Sequence, residues 1–245
     1  IADTISGIPL ARKMEDCPKV LIVGEIYVRR DDFAVDELIQ QFSRHGIVGK
    51  VSNVAEWFYY CDFVRHYELK KKLKLAPWYR RPFTREFRDI IDWRIEHVYK
   101  KHVEKNVRET LNSTGLVPHT PHDMNKIMKN AEKHFASHEL HSEICISSGV
   151  AATAMMDGYS GIVNISPFAC LIGRVIEGLY TPWARERKYP TISIEIDGNL
   201  LPPNVLSKLE IFMLNVKRFR GKGDSHSMVE HEGKTHAAID RKIIR

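Results

Sequence analysis

The 245-residue chain is sparing with cysteine: Cys17, Cys61, Cys145 and Cys170 are its four, and no two form a Cys-x-x-Cys pair. That spacing excludes a zinc knuckle and a thioredoxin-type motif, and so few cysteines in so long a chain argue against a disulfide framework. No run approaches the roughly 18 consecutive apolar residues that cross a bilayer, and the opening IADTISGIPLARKMEDC lacks the apolar stretch of a signal peptide. A cytoplasmic protein with no membrane partner is therefore expected. Gly-x-Gly-x-x-Gly and Walker-type phosphate loops are missing, which argues against ATP hydrolysis by this chain, and there is no Gly-x-Ser-x-Gly hydrolase elbow. No internal repeat recurs. The chain begins with Ile1 rather than Met, so a C-terminal piece of something longer is expected.

What is present is ordinary globular chemistry, with 43% hydrophobic and 28% charged residues. A formal charge of +6 and a pI near 9.1 give a mild attraction to polyanions, far short of a nucleic-acid signature.

Residues 19–28, KVLIVGEIYV, form a near-continuous apolar run rich in Val and Ile, as expected of a central parallel strand buried on both faces. Phe33, Leu38 and Phe42 then recur at helical spacing, with Asp31 or Asp32 as N-cap and Gly46 as the stop. IVGKVSNV returns as a second strand, completing a right-handed βαβ unit. From about residue 55 to 117 the pattern changes to long charged and aromatic helices, broken at Pro77 and Pro82 and closed by the turn formers of STGLVPHTPHD. A helix from Met124 to about His138 follows. SEICISSGVAATAMMDGYSG reads as helical, although its Ile, Val and Thr leave a strand open. GIVNISP and TISIEIDG are the third and fourth strands, each followed by a helix: residues 170–187, then NVLSKLEIFMLNVKRF. The expected architecture is α/β, a four-stranded parallel doubly wound sheet of the Rossmann or flavodoxin-like kind with a large helical insertion. Residues 1–17 form a lead-in, 18–220 the α/β domain with its insertion at about 55–117, and 221–245 a mobile basic tail without an apolar face.

The usual order for four such strands is 2-1-3-4, which opens a crevice beyond the carboxyl ends of the first and third, where open α/β sheets bind ligands. GEIYVRR and SPFACLIG face that crevice. Cys170 thus falls in the first turn of a helix, where unpaired N–H groups and the macrodipole favour a thiolate, the form that binds metal. A plain core thiol remains open, since cysteine is often buried. Pro167 sets the strand exit, and Gly173 lets backbone or a ligand come close. Cys17 and Cys61 read as packing residues. Cys145, before Ser147, Ser148 and Gly149, is a second candidate if a turn brings it to the crevice.

VGEIYVRRDDFAVDELIQQFSRHG, AEWFYY, GIVNISPFACLIGRVIEG and PTISIEIDGN with KLEIFMLNVKRF resemble the 2-hydroxyglutaryl-CoA dehydratase and benzoyl-CoA reductase family. The likeness is to its branch of CoA-substrate-specific enzyme activases, related to double-cubane-cluster proteins. It runs discontinuously from about residue 20 to 220 and is strongest at GEIYVR and Pro-Phe-x-Cys-x-x-Gly. It implies a module that binds an iron–sulfur cluster, [4Fe–4S] or double cubane, in ATP-driven low-potential electron transfer or acyl-CoA dehydratase or reductase chemistry of anaerobic metabolism. By matching positions it implies that Cys170 ligates the cluster, with Gly173 in the turn that follows and Glu25 and Arg29 on the neighbouring wall. Its partners would be an activator ATPase domain or subunit, a second copy of the chain as a homodimer, and an acyl-CoA substrate. The turn departs from the family pattern. Ala169 stands at the small or glycine position, and Leu171-Ile172-Gly173 replaces the usual Met/Leu-Pro-Gly. A cluster needs several cysteines, so the remaining ligands are expected outside this chain, with Cys145 as the alternative within it.

Two other constellations compete. His119, His122, His134, His138 and His141 invite a metal, and His134 and His138 lie one turn apart, but a solvated helix face explains them as well. YELKKKLKLAPWYRRPFTREFR mixes basic residues with Trp78, Tyr79, Phe83 and Phe87, as proteins that stack on nucleic-acid bases do. An amphipathic insertion with its aromatics packed inward, its cations wet and an acidic partner docked on it is the expectation here, and nucleic acid is not. The rival function is a cluster-free module that docks a partner protein or nucleic acid through this insertion.

Overall fold

Val20, Leu21, Ile22 and Val23 are all buried, because β1 (Lys19–Gly24) has a strand on each side and helices on both faces. A computed structural model describes residues 2–10, 12–117, 123–140 and 142–221. In it β2 (Val48–Val51), β1, β3 (Gly161–Pro167) and β4 (Thr191–Ile196) form one parallel sheet in the order 2-1-3-4, with Val20 opposite Gly49 on one side and Gly161 on the other. The chain is an α/β doubly wound fold. The strand expected to reach residue 28 stops at Gly24. There φ is +120°, and a Cβ would lie 1.9 Å from the Ile165 carbonyl oxygen, so the chain leaves the sheet at a residue able to pass that close to β3.

Alternation along β1 sends its side chains into two cores. Val20 and Ile22 meet Leu38 and Phe42 of α2 (Asp32–Arg44) and Leu209, Phe212 and Val216 of α8 (Pro203–Gly221). Phe33, expected in that stripe, is exposed, and Ala34 takes its place. Leu21 and Val23 meet α5 (Met124–His134), α6 (Glu143–Met156) and α7 (Leu171–Glu186) through Ile127, Ile146, Val150 and Tyr180. The ambiguous segment is the helix α6. Ser142 caps it, accepting from the Ile144 N–H at 3.2 Å, and residues 145–154 are all buried, Ile146, Val150 and Thr153 among them, as a core helix allows. A short α1 (Ala2–Ser6) precedes the domain.

The insertion is a hairpin of α3 (Ala55–Leu75) and α4 (Arg85–Asn112). It is antiparallel: Asp62 meets Lys100 at 2.8 Å, and the Trp93 ring stacks on His66 (3.8 Å between centroids) and on His97 (4.8 Å). Arg81 closes the connecting loop by donating to the Ala76 and Lys74 carbonyls (3.0 and 3.2 Å). Trp78, Tyr79 and Phe83, expected to pack inward, are exposed, because this loop lies past the ends of both helices. His134 packs its ring against Phe135 and Trp183. His119, His122, His141 and residues 222–245, the expected tail, lie outside the described residues. Among the described residues no helix is long and apolar enough to cross a membrane.

Candidate functional site at the carboxyl edge of the sheet

Past Gly24 the Glu25 N–H donates to the Ile165 carbonyl (3.0 Å), tying the loop after β1 to β3. Glu25 then folds the chain on itself. Its carboxylate accepts from the Val28 N–H (2.9 Å) and its carbonyl from the Arg29 N–H (3.1 Å), winding Val28–Arg30 into a 3-10 turn that draws Arg29 inward.

Past β3 the chain is fixed from β4. The Phe168 N–H donates to the Ile196 carbonyl (3.1 Å), the Ala169 N–H donates to Glu195 Oε1 (3.1 Å), and Glu195 is held by Arg174 at 2.7 Å. Ala169 adopts φ +57°, a left-handed conformation that glycine takes at less cost. Cys170 follows as the N-cap residue of α7, extended at φ −65° and ψ 122°, with a free, half-buried thiol. One turn on, a Cβ at Gly173 would lie 2.2 Å from Ser166 Oγ, and the Gly173 carbonyl accepts from Asn164 Nδ2 at 3.2 Å. Of the two uses expected for Gly173, the structure displays the close approach of backbone, here helix to strand.

Arg29 is the centre of a buried charged cluster. It is 5% exposed, and its Nη1 lies 3.8 Å from Oε2 of Glu56, a residue in the first turn of α3 that is 4% exposed. The Ser52 hydroxyl and the Asn53 N–H (3.2 Å) also donate to Glu56. Burial pushes the Glu56 carboxyl above its usual range against the opposing pull of Ser52, Arg29 and Asn53. Burial likewise lowers Arg29, while Glu56, Glu143 and Glu25 support its charge. Glu143, in the first turn of α6, is raised by burial and by Glu25, with Arg29 and the Ile26 N–H opposing. The Ser147 hydroxyl donates to the Gly24 carbonyl at 3.2 Å. Among the described residues Arg29 Nε and Asn164 Oδ1 are buried without a hydrogen-bond partner, a donor and an acceptor near the ends of β1 and β3. Around this edge Tyr27, Phe168, Leu171 and Leu200 expose their apolar side chains.

The structure thus joins the Glu25–Arg29 loop to the end of β3 that leads into Cys170 and Gly173. Cys145 belongs to the core instead: it is fully buried, its thiol donates to the Ser137 carbonyl (3.2 Å), and burial pushes that thiol upward. Cys61, expected to pack, is exposed, and Cys17 is half-buried. Glu56, Glu143 and Ser52 escape sequence reasoning. Only Glu56 carried a signal, its place in AEWFYY. Among the described residues no three His, Cys, Asp or Glu side chains converge into a metal-holding group. Compared with family models, curated proteins and solved structures, the chain matches none.

Proposed function

We propose that this chain contributes Cys170 as one cysteine ligand of an iron–sulfur cluster in a low-potential electron-transfer system of the acyl-CoA dehydratase or reductase type. The observation that supports this most is the presentation of the thiol. Cys170 is free and half-buried, it heads a helix at the carboxyl edge of the central strands, and Glu195 and Arg174 brace the turn before it. Such a site favours ligands in this fold class.

The fit is to a single ligand position. Cubane clusters are ordinarily held by four cysteines, and Cys145 is committed to the core. All four cysteines of the sequence lie among the described residues, so the other cysteine ligands come from a partner. When bound, the cluster supplies a one-electron centre whose potential responds to charge, hydrogen bonds and exposure. Toward it the chain offers the sulfur of Cys170, the N–H groups of the first turn of α7, and the buried positive charge of Arg29 near the end of β1. Phe168 and Leu171, exposed on either side of the thiol, keep water from the sulfur once a partner covers them. ATP hydrolysis belongs to that partner, because this sequence has no phosphate loop.

Anaerobic reconstitution with iron and sulfide, with a small thiol filling the remaining iron positions, tests the reading. Brown absorbance and bound iron are expected for the native chain and are lost in Cys170→Ser. Equal iron uptake by the variant, or none by the native chain, contradicts it.

A further inference from the structure

The positive charge of the chain is concentrated at one place. Residues 70–88 hold Lys70, Lys71, Lys72, Lys74, Arg80, Arg81, Arg85 and Arg88 against a single carboxylate, Glu86, for a net +7. The whole chain carries +6, so the remaining residues sum to −1. These nineteen residues are the last turns of α3, the connecting loop and the first turn of α4, the tip of the hairpin. The same tip exposes Leu75 (85%), Trp78 (78%), Tyr79 (56%) and Phe83 (88%). Cationic charge and bare apolar surface therefore coincide there.

The arrangement decides what such a tip fits. At 3.6 residues per turn, Lys70, Lys71, Lys72 and Lys74 spread over about 200° of the circumference of α3 rather than lining one narrow face of it. A broad arc of cations behind an apolar point suits a flat anionic surface better than a narrow groove. A nucleic-acid strand is tracked by a groove with free ring faces. Here Arg80 already lies over the Tyr79 ring, 5.7 Å from its centroid, and Leu75 has no ring to stack. Aromatic and aliphatic side chains at the acyl boundary with Lys and Arg at the headgroups are the chemistry of interfacial anchoring. The loop is held in shape by Arg81, which ties it to the end of α3.

We propose that the α3–α4 tip docks on the surface of an anionic lipid bilayer, with Leu75, Trp78, Tyr79 and Phe83 entering the interface and the surrounding lysines and arginines meeting the headgroups. The expectation of no membrane partner rested on the lack of a spanning run, and a surface contact needs none. Membrane contact here is independent of Cys170 and of the proposed electron-transfer role.

Co-sedimentation of the full chain with vesicles tests this. Binding is expected to vesicles of phosphatidylcholine mixed with phosphatidylserine and not to phosphatidylcholine alone, to weaken as salt rises, and to shift tryptophan emission to the blue. The exposed pair Trp78→Ala and Phe83→Ala is expected to weaken binding at least about ten-fold. Lys72→Glu with Lys74→Glu is expected to abolish it, each cation being worth roughly five-fold. Unchanged circular dichroism shows that these variants are folded, and Cys170→Ser binds as the native chain does. The proposal is overturned if mixed vesicles bind no better than neutral ones, if the variants bind equally, or if single-stranded oligothymidine or an acidic protein such as ovalbumin binds the tip more tightly than vesicles at the same salt.

Discussion

At the scale of single residues, burial of charge sets the behaviour of the site. The carboxyl of Glu56 is pushed above its ordinary value of 4.5 mainly by burial. The native state therefore holds the Glu56 proton more tightly than the unfolded chain does. The contribution of this group to stability is complete below about pH 4.5 and is lost as pH rises through its native pKa. Glu143 acts in the same direction. Glu56→Gln changes stability least below about pH 4.5, where Glu56 carries its proton and faces Arg29 without charge in the native chain too, and it flattens the fall in stability above about pH 4.5. Denaturant midpoints measured from about pH 5 to 8 check this, and parallel slopes for native and variant contradict it. The placement of Cys170, Glu25 and Arg29 at the carboxyl edge of the sheet was legible because each lies in a short segment where a strand run ends. The partners of Arg29 were not. Glu56 and Glu143 stand in the first turns of α3 and α6, and periodicity does not say which carboxylate two distant helices will seal in.

Among the elements, the packing of α7 on β3 depends on the absence of a side chain at Gly173. Gly173→Ala forces its Cβ to within 2.2 Å of Ser166 Oγ and 2.4 Å of Ser166 Cβ. Overpacking of this kind costs about 1–3 kcal/mol, and Ser166→Gly in the same chain is expected to recover part of it. Chemical denaturation of the single and double variants measures the loss. A neutral Gly173→Ala means that α7 does not sit this close to the strand. The elements themselves were readable from pattern: all four strands, a helix starting at Cys170, which the structure makes its N-cap, and the helical nature of residues 143–156. The far end of β1 was not. Its apolar run continues through Ile26 and Val28, and hydropathy does not register that Gly24 turns out of the sheet to clear Ile165. The outward aromatics of the hairpin loop were misread for a related reason. Composition finds aromatics, but nothing local in the sequence states that a loop has no neighbour to cover it.

For the molecule as a whole, strand order follows from the alternation of elements, and with it the edge at which a site forms. Two features stand apart on this frame: an ordered thiol at the carboxyl edge of the sheet, and a hairpin whose basic tip offsets a slightly acidic remainder. The central claim concerns the thiol. Alkylation of the four cysteines with iodoacetamide, quantified one by one by mass spectrometry before and after anaerobic iron–sulfide loading, tests it most directly. The account predicts that Cys170 is labelled in the unloaded chain and protected after loading, while exposed Cys61 reacts in both. Labelling of Cys170 that is the same with and without bound iron contradicts it.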